Sequence, residues 1–176
     1  MSVPSGVRKL ILTAHIATSV GWLGAVVAYL VLDVAATTSD DPQLARGVYG
    51  AMEVVVLYAI VPLAVTSVLI GITTALATPW GLFRHYWVLV KLGLTIVATA
   101  VLLLETQTIS NLAAVAASGA DPRELPGTLV HSIGGLTVLV IILILSVYKP
   151  RGLTRYGWRK QQQQRTQRYA DRSTIP

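Results

Sequence analysis

Cysteine is absent from all 176 residues, which excludes disulfides, zinc–thiolate sites, thiol redox chemistry and iron–sulfur clusters with the usual thiolate ligands. Charge is also scarce, with Asp, Glu, Lys and Arg making up 12% of the chain. A soluble domain of this length carries about 25%. No second folded unit is expected. What the chain has in abundance is apolar surface: 53% of its residues are hydrophobic and its mean hydropathy is +0.63.

That surface falls in four stretches, about 10–32, 48–77, 86–104 and 128–148. Each meets the ~20 residues needed to cross ~30 Å of hydrocarbon. The expected fold is all-α, a four-transmembrane-helix bundle over residues 1–150, with a basic tail over 151–176. Pro62 predicts a kink in the second span. The third span has the composition to continue as helix toward Ala117. The first apolar run is too long for the core of a signal peptide and lacks a small-residue cleavage site, so it reads as a span.

Charge outside the spans predicts orientation. TTSDDPQLARG and SGADPRELPG are acidic, whereas TPWGLFR carries Arg84 and the first span follows Arg8 and Lys9. Of the fourteen Lys and Arg residues, eight lie between Lys149 and Arg172. The positive-inside rule then places both termini in the cytoplasm of a multi-pass cell-membrane protein. A basic tail after a membrane helix reads as an anchor for anionic lipid headgroups rather than as a nucleic-acid arm. The tail has no apolar period, and its Pro, Gly and Gln content predicts disorder or a surface-lying segment. Trp80, Tyr86 and Trp87, with Tyr148, Tyr156 and Trp158 nearer the tail, suit an aromatic belt.

The few ionisable residues inside the spans are the functional candidates, because hydrocarbon makes them costly. Depth decides which can meet. His15 and Lys91 lie at similar depth toward the cytoplasmic side, with His85 at that boundary. His15 shares a helical face with Thr18 or Ser19, Trp22 and Val26, and Gly21 and Gly24 thin the helix beside it. Imidazole is a common haem ligand, so this inner cluster reads as a haem b site with His15 axial and His85 or Lys91 as second ligand or propionate partner. The alternative is helix packing by polar side chains, with Lys91 snorkelling to headgroups.

Glu53, Glu105 and His131 come from three helices on the opposite side, where Asp33 ends the first span. Carboxylates and imidazole in a bundle suit a divalent metal, a proton relay or a cation site. The alternative is that each is an ordinary polar contact. His15 and His131 are ~20 Å apart along the membrane normal at 1.5 Å per residue and should not share one ligand.

The patterns HIATSVGWLG, YWVLVKLGLTIVATAVLLLE and HSIGGLTVLVIILILSVYKPRG together resemble a family of bacterial four-helix membrane proteins of unknown function. The likeness spans most of residues 8–157. His15, Trp22, Gly24, Trp87 and Lys91 more distantly resemble copper resistance protein D and the membrane-bound, haem-binding protoporphyrinogen oxidase. That second resemblance implies that His15 and Lys91 contribute to a porphyrin or haem site in a bacterial inner membrane. The chain departs from it at Glu105, where a His is expected. Three readings follow: a haem b protein in electron transfer or haem handling with a quinone or redox-protein partner, a divalent-metal or copper protein, and a non-catalytic subunit or scaffold. Homo-oligomers are compatible with each.

Overall fold

The computed structural model describes residues 4–77, 82–119, 127–150 and 152–173. Trp80, Asp121 and Glu124 lie outside them. Helix α1 covers Ser5–Thr38, α2 covers Pro42–Val55, and a π-helical turn at Val56–Ile60 joins α2 to α3 at Val61–Ala77. Helix α4 covers Tyr86–Ala117, α5 covers Leu129–Tyr148 and α6 covers Arg155–Ser173. Four of these segments are long and apolar enough to span a membrane: α1, the continuous run from Pro42 to Leu76, α4 and α5. The chain is thus an all-α, four-span, multi-pass membrane protein.

The spans alternate in direction, so short connections make sequence neighbours spatial neighbours. Helix α1 packs against α2, α3 and α5, and α4 packs against the same three. The buried seam runs through Trp22, Tyr29, Met52, Val56, Ile60 and Ala116. Leucines and valines on the outward faces, such as Leu10, Val31, Leu104 and Val147, stay exposed. A helix that is apolar all round in this way is solvated by lipid.

Small residues line the contact between α1 and α3. Ala64 is fully buried, the hydroxyls of Ser19 and Ser67 are 2.9 Å apart, and Gly71 abuts His15. Lipid tails are as apolar as leucine, so close backbone contact and interhelical hydrogen bonds hold such pairs together.

The expected disturbance at Pro62 takes the form of the π turn just before it. Proline has no N–H to donate and its ring collides with the carbonyl four residues back. Shifting to i→i+5 bonding in the preceding turn widens the coil there without ending the helix. At the start of α2, Asp41 Oδ1 accepts from Gln43 N at 2.8 Å and Pro42 occupies the first turn. Both are strong helix-start features.

Of the two expectations for the tail, disorder gives way to helix: residues 155–173 are helical. Its Arg, Lys and Gln residues are good helix formers even without an apolar stripe. Thr154 supplies the cap, its Oγ1 accepting from Gly157 N at 3.0 Å. The same hydroxyl donates to Phe83 O at 2.5 Å, and Thr154 N donates to Arg84 O at 3.1 Å. Helix α6 is therefore tied to the turn that precedes α4.

A cleft between two helices as candidate site

The inner candidates are only partly assembled. Lys91 is close enough to His15 for electrostatic interaction, and its Nζ lies 5.6 Å from the centre of the Trp87 ring. His15 Nδ1 is buried without a hydrogen-bond partner. The hydroxyl of Thr18 turns back to the carbonyls of Ala14 and His15, at 3.0 and 3.1 Å. His85 begins α4, pairs through its backbone with Leu153 and tilts against the Trp87 ring at 6.3 Å. Its backbone thus helps hold the segment that leads into α6.

Haem at His15 meets a spatial obstacle. A Cβ on Gly71 would sit 3.0 Å from His15 Cε1 and 3.7 Å from either ring nitrogen. The edge between the two nitrogens thus faces the α3 backbone. Nδ1 is covered in this packing, so a macrocycle on it would require α3 to draw back. The free Nδ1 suits iron, but the space beside it does not suit a porphyrin.

The opposite end of the bundle brings different groups together. His131 Nε2 lies 3.7 Å from Glu105 Oε1, linking α5 to α4 as their shared depth predicts. Glu105 is not the end of its helix, since α4 continues to Ala117. Glu53 does not join the pair: among the described residues, no three His, Asp or Glu side chains converge closely enough to hold a metal ion. On α2 the buried positions are Ala45, Val48, Tyr49 and Met52, and Glu53 falls on the flank of that face, half-buried.

Between α4 and α5 lies a cleft of about 290 Å³. Trp22, Val26 and Tyr29 of α1 and Val56 and Ile60 of the π turn close its back. Leu94 to Ile109 of α4 and Thr128 to Leu139 of α5 form its sides. The α4 stretch measures ~22 Å at 1.5 Å per residue. Gly134 and Gly135 open the α5 wall, and a Cβ at either would meet nothing within 4 Å. Val97, Val101 and Val130 on the rim are exposed on the lipid-facing side.

The cleft is apolar along its length and polar at one end. There it carries Glu105 and His131, with Tyr29, Thr128 and Ser132. Tyr29 Oη and Thr128 Oγ1 are 3.2 Å apart. Ser132 bonds to the buried Asp33 of α1. Sequence reasoning identified Glu105, His131 and Asp33 as near neighbours but missed the hydroxyl groups. Their only signal is the depth that Tyr29 and Ser132 share with those residues.

This defines a class, a four-span helical membrane protein with a lipid-facing cleft that ends in a polar cluster. No protein-family model, curated protein or solved structure matches the chain.

Proposed function

We propose that this protein binds a lipophilic molecule with a polar, hydrogen-bonding ring, of the quinone class, taken laterally from the bilayer between α4 and α5 to serve a redox role. The carrying observation is the cleft itself, apolar along its walls and ending in Glu105, His131, Tyr29, Thr128 and Ser132. Its ~290 Å³ stands near the lower end of small-molecule pockets, about 300–1,000 Å³. A single ring with a chain trailing along the α4–α5 gap suits that volume. Both termini face the cytoplasm of a bacterial inner membrane, with α6 against anionic headgroups, as the basic segments favour.

The test is titration of detergent-purified protein with a short-chain quinone, read by tryptophan quenching. Trp22 lines the cleft, so saturable quenching is expected. Gly135→Leu fills the opening and should abolish it. Quenching that is unsaturable, or unchanged in Gly135→Leu, refutes this reading.

A second reading, haem b at His15, draws support from the unpartnered Nδ1 and the nearby Lys91. It requires α3 to withdraw at Gly71. A Soret band that His15→Ala removes and His131→Ala leaves would establish it in place of the first. Absence of both signals, with co-purification of a larger complex, would favour a scaffold role.

A further inference from the structure

Charge is divided between the two ends of the bundle. No Asp or Glu occurs before Asp33, between Glu53 and Glu105, or between Glu124 and Asp171. Those acid-free intervals include the segments at the end where α4 begins and α5 stops. They carry Arg8, Lys9, Arg84, Lys91 and Lys149.

At that end two lysines from different helices come together. Lys91 lies ~8 Å into α4 at 1.5 Å per residue. Its stem bends back toward the start of the helix, since Nζ lies 5.6 Å from the centre of the Trp87 ring, one turn earlier. Lys149 follows the last residue of α5 and is close enough to Lys91 for the two charges to interact. His15 of α1 lies within the same kind of range of Lys91. Lys149 also holds a left-handed backbone, with φ of 43°, where glycine is the easier residue.

Like charges this near repel, and hydrocarbon beside them screens poorly. A group with two anionic oxygens placed between the lysines turns that repulsion into two charge-assisted hydrogen bonds. A phosphodiester has this form, and in a bilayer it arrives on a lipid whose chains need apolar surface. Val90 and Val147, beside the two lysines in sequence, are exposed. A zwitterionic headgroup would bring a further cation to an end already rich in them, which favours a lipid of net negative charge. We propose that Lys91 and Lys149 form a binding site for the phosphate of an anionic phospholipid, between the start of α4 and the end of α5. It lies at the opposite end of these helices from Glu105 and His131. The site requires that the spans cross a bilayer and is independent of quinone binding.

Native mass spectrometry of the full chain in neutral detergent, with equal amounts of phosphatidylglycerol and phosphatidylcholine, tests this. Retention of phosphatidylglycerol in preference to phosphatidylcholine is expected. Lys91→Gln and Lys149→Gly should each reduce that preference about fivefold, and the double variant should abolish it. Lys91→Arg keeps the charge and should keep the preference. Glycine at position 149 eases the backbone, so a loss of preference at undiminished melting temperature is not misfolding. Equal retention of the two lipids overturns the proposal. Preference that survives the double substitution also overturns it and assigns the anionic lipid to α6. Displacement by inorganic phosphate at the concentration of the lipid overturns it as well, since that marks a site for free anions.

Discussion

Replacing Gly157 with alanine sets two effects of opposite sign against each other. Within a free helix the change is favourable, since Gly is worse than Ala by roughly 0.5–1 kcal/mol. Docked, α6 has no room for it: the new Cβ would sit 2.3 Å from Arg84 O and 3.0 Å from Arg84 Cγ. The obstructing atom is main chain, and it cannot retreat without losing the bond from Thr154 N. Overpacking of this kind costs about 1–3 kcal/mol, and a rigid carbonyl places the cost in the upper half of that range. The net loss is then ~1–2 kcal/mol of docking, or roughly a tenfold weaker attachment. Hydrogen exchange at the Trp158 amide, bonded to Thr154 O at 2.9 Å, reads the outcome. Faster exchange across Thr154–Trp158, and faster tryptic cutting at Arg155 and Arg159, are expected. Slower exchange would mean that helix propensity dominates and that α6 is not held against the Arg84 turn.

Two further outcomes follow from the same geometry. Gly71→Ala should cost about 1 kcal/mol net, because the His15 ring must yield by a few tenths of an ångström, an overpacking of about 1.5–2 kcal/mol less the roughly 0.5–1 kcal/mol that alanine gains inside a helix. In a double-mutant cycle His15→Ala should remove most of that cost, and strict additivity would show that the two do not touch. Glu105→Gln should change stability by less than ~1 kcal/mol, since the His131 side chain is 56% exposed. It should nevertheless weaken quinone quenching, and a large fall in melting temperature with unchanged binding would show a structural rather than a ligand-facing role.

Much of the architecture was legible because the bilayer imposes one strong requirement on sequence. Four apolar stretches had to be helices, since backbone groups in hydrocarbon must bond internally. The same reasoning about depth brought Glu105 to His131 without any motif. Other features follow from contacts between residues remote in sequence. Asp33 and Ser132 are 99 positions apart, and nothing local distinguishes that serine from Ser146, whose hydroxyl bonds within its own helix. Glu53 was grouped with Glu105 by depth alone, but depth leaves helix rotation undetermined, and rotation puts it on a flank. Helix α6 escaped detection because propensity and one threonine cap create it, whereas the apolar pattern reports only helices that bury a stripe.

The π turn has a consequence for which changes in chain length this protein tolerates. Along an α-helix each four-residue step drifts by ~40°. The buried series Met52, Val56, Ile60 and Ala64 makes three such steps, which in a regular helix would carry it through ~120° and off the seam. The widened turn winds part of that drift back. It acts as a phase correction, keeping both halves of a span from Pro42 to Leu76 seated along one partner surface. Losing one residue within Val56–Ile60 lets the turn close into regular α-helix with Ser67 and Gly71 still toward α1, whereas losing one between Val61 and Ser67 turns both by ~100°, although no contact residue of α3 has changed.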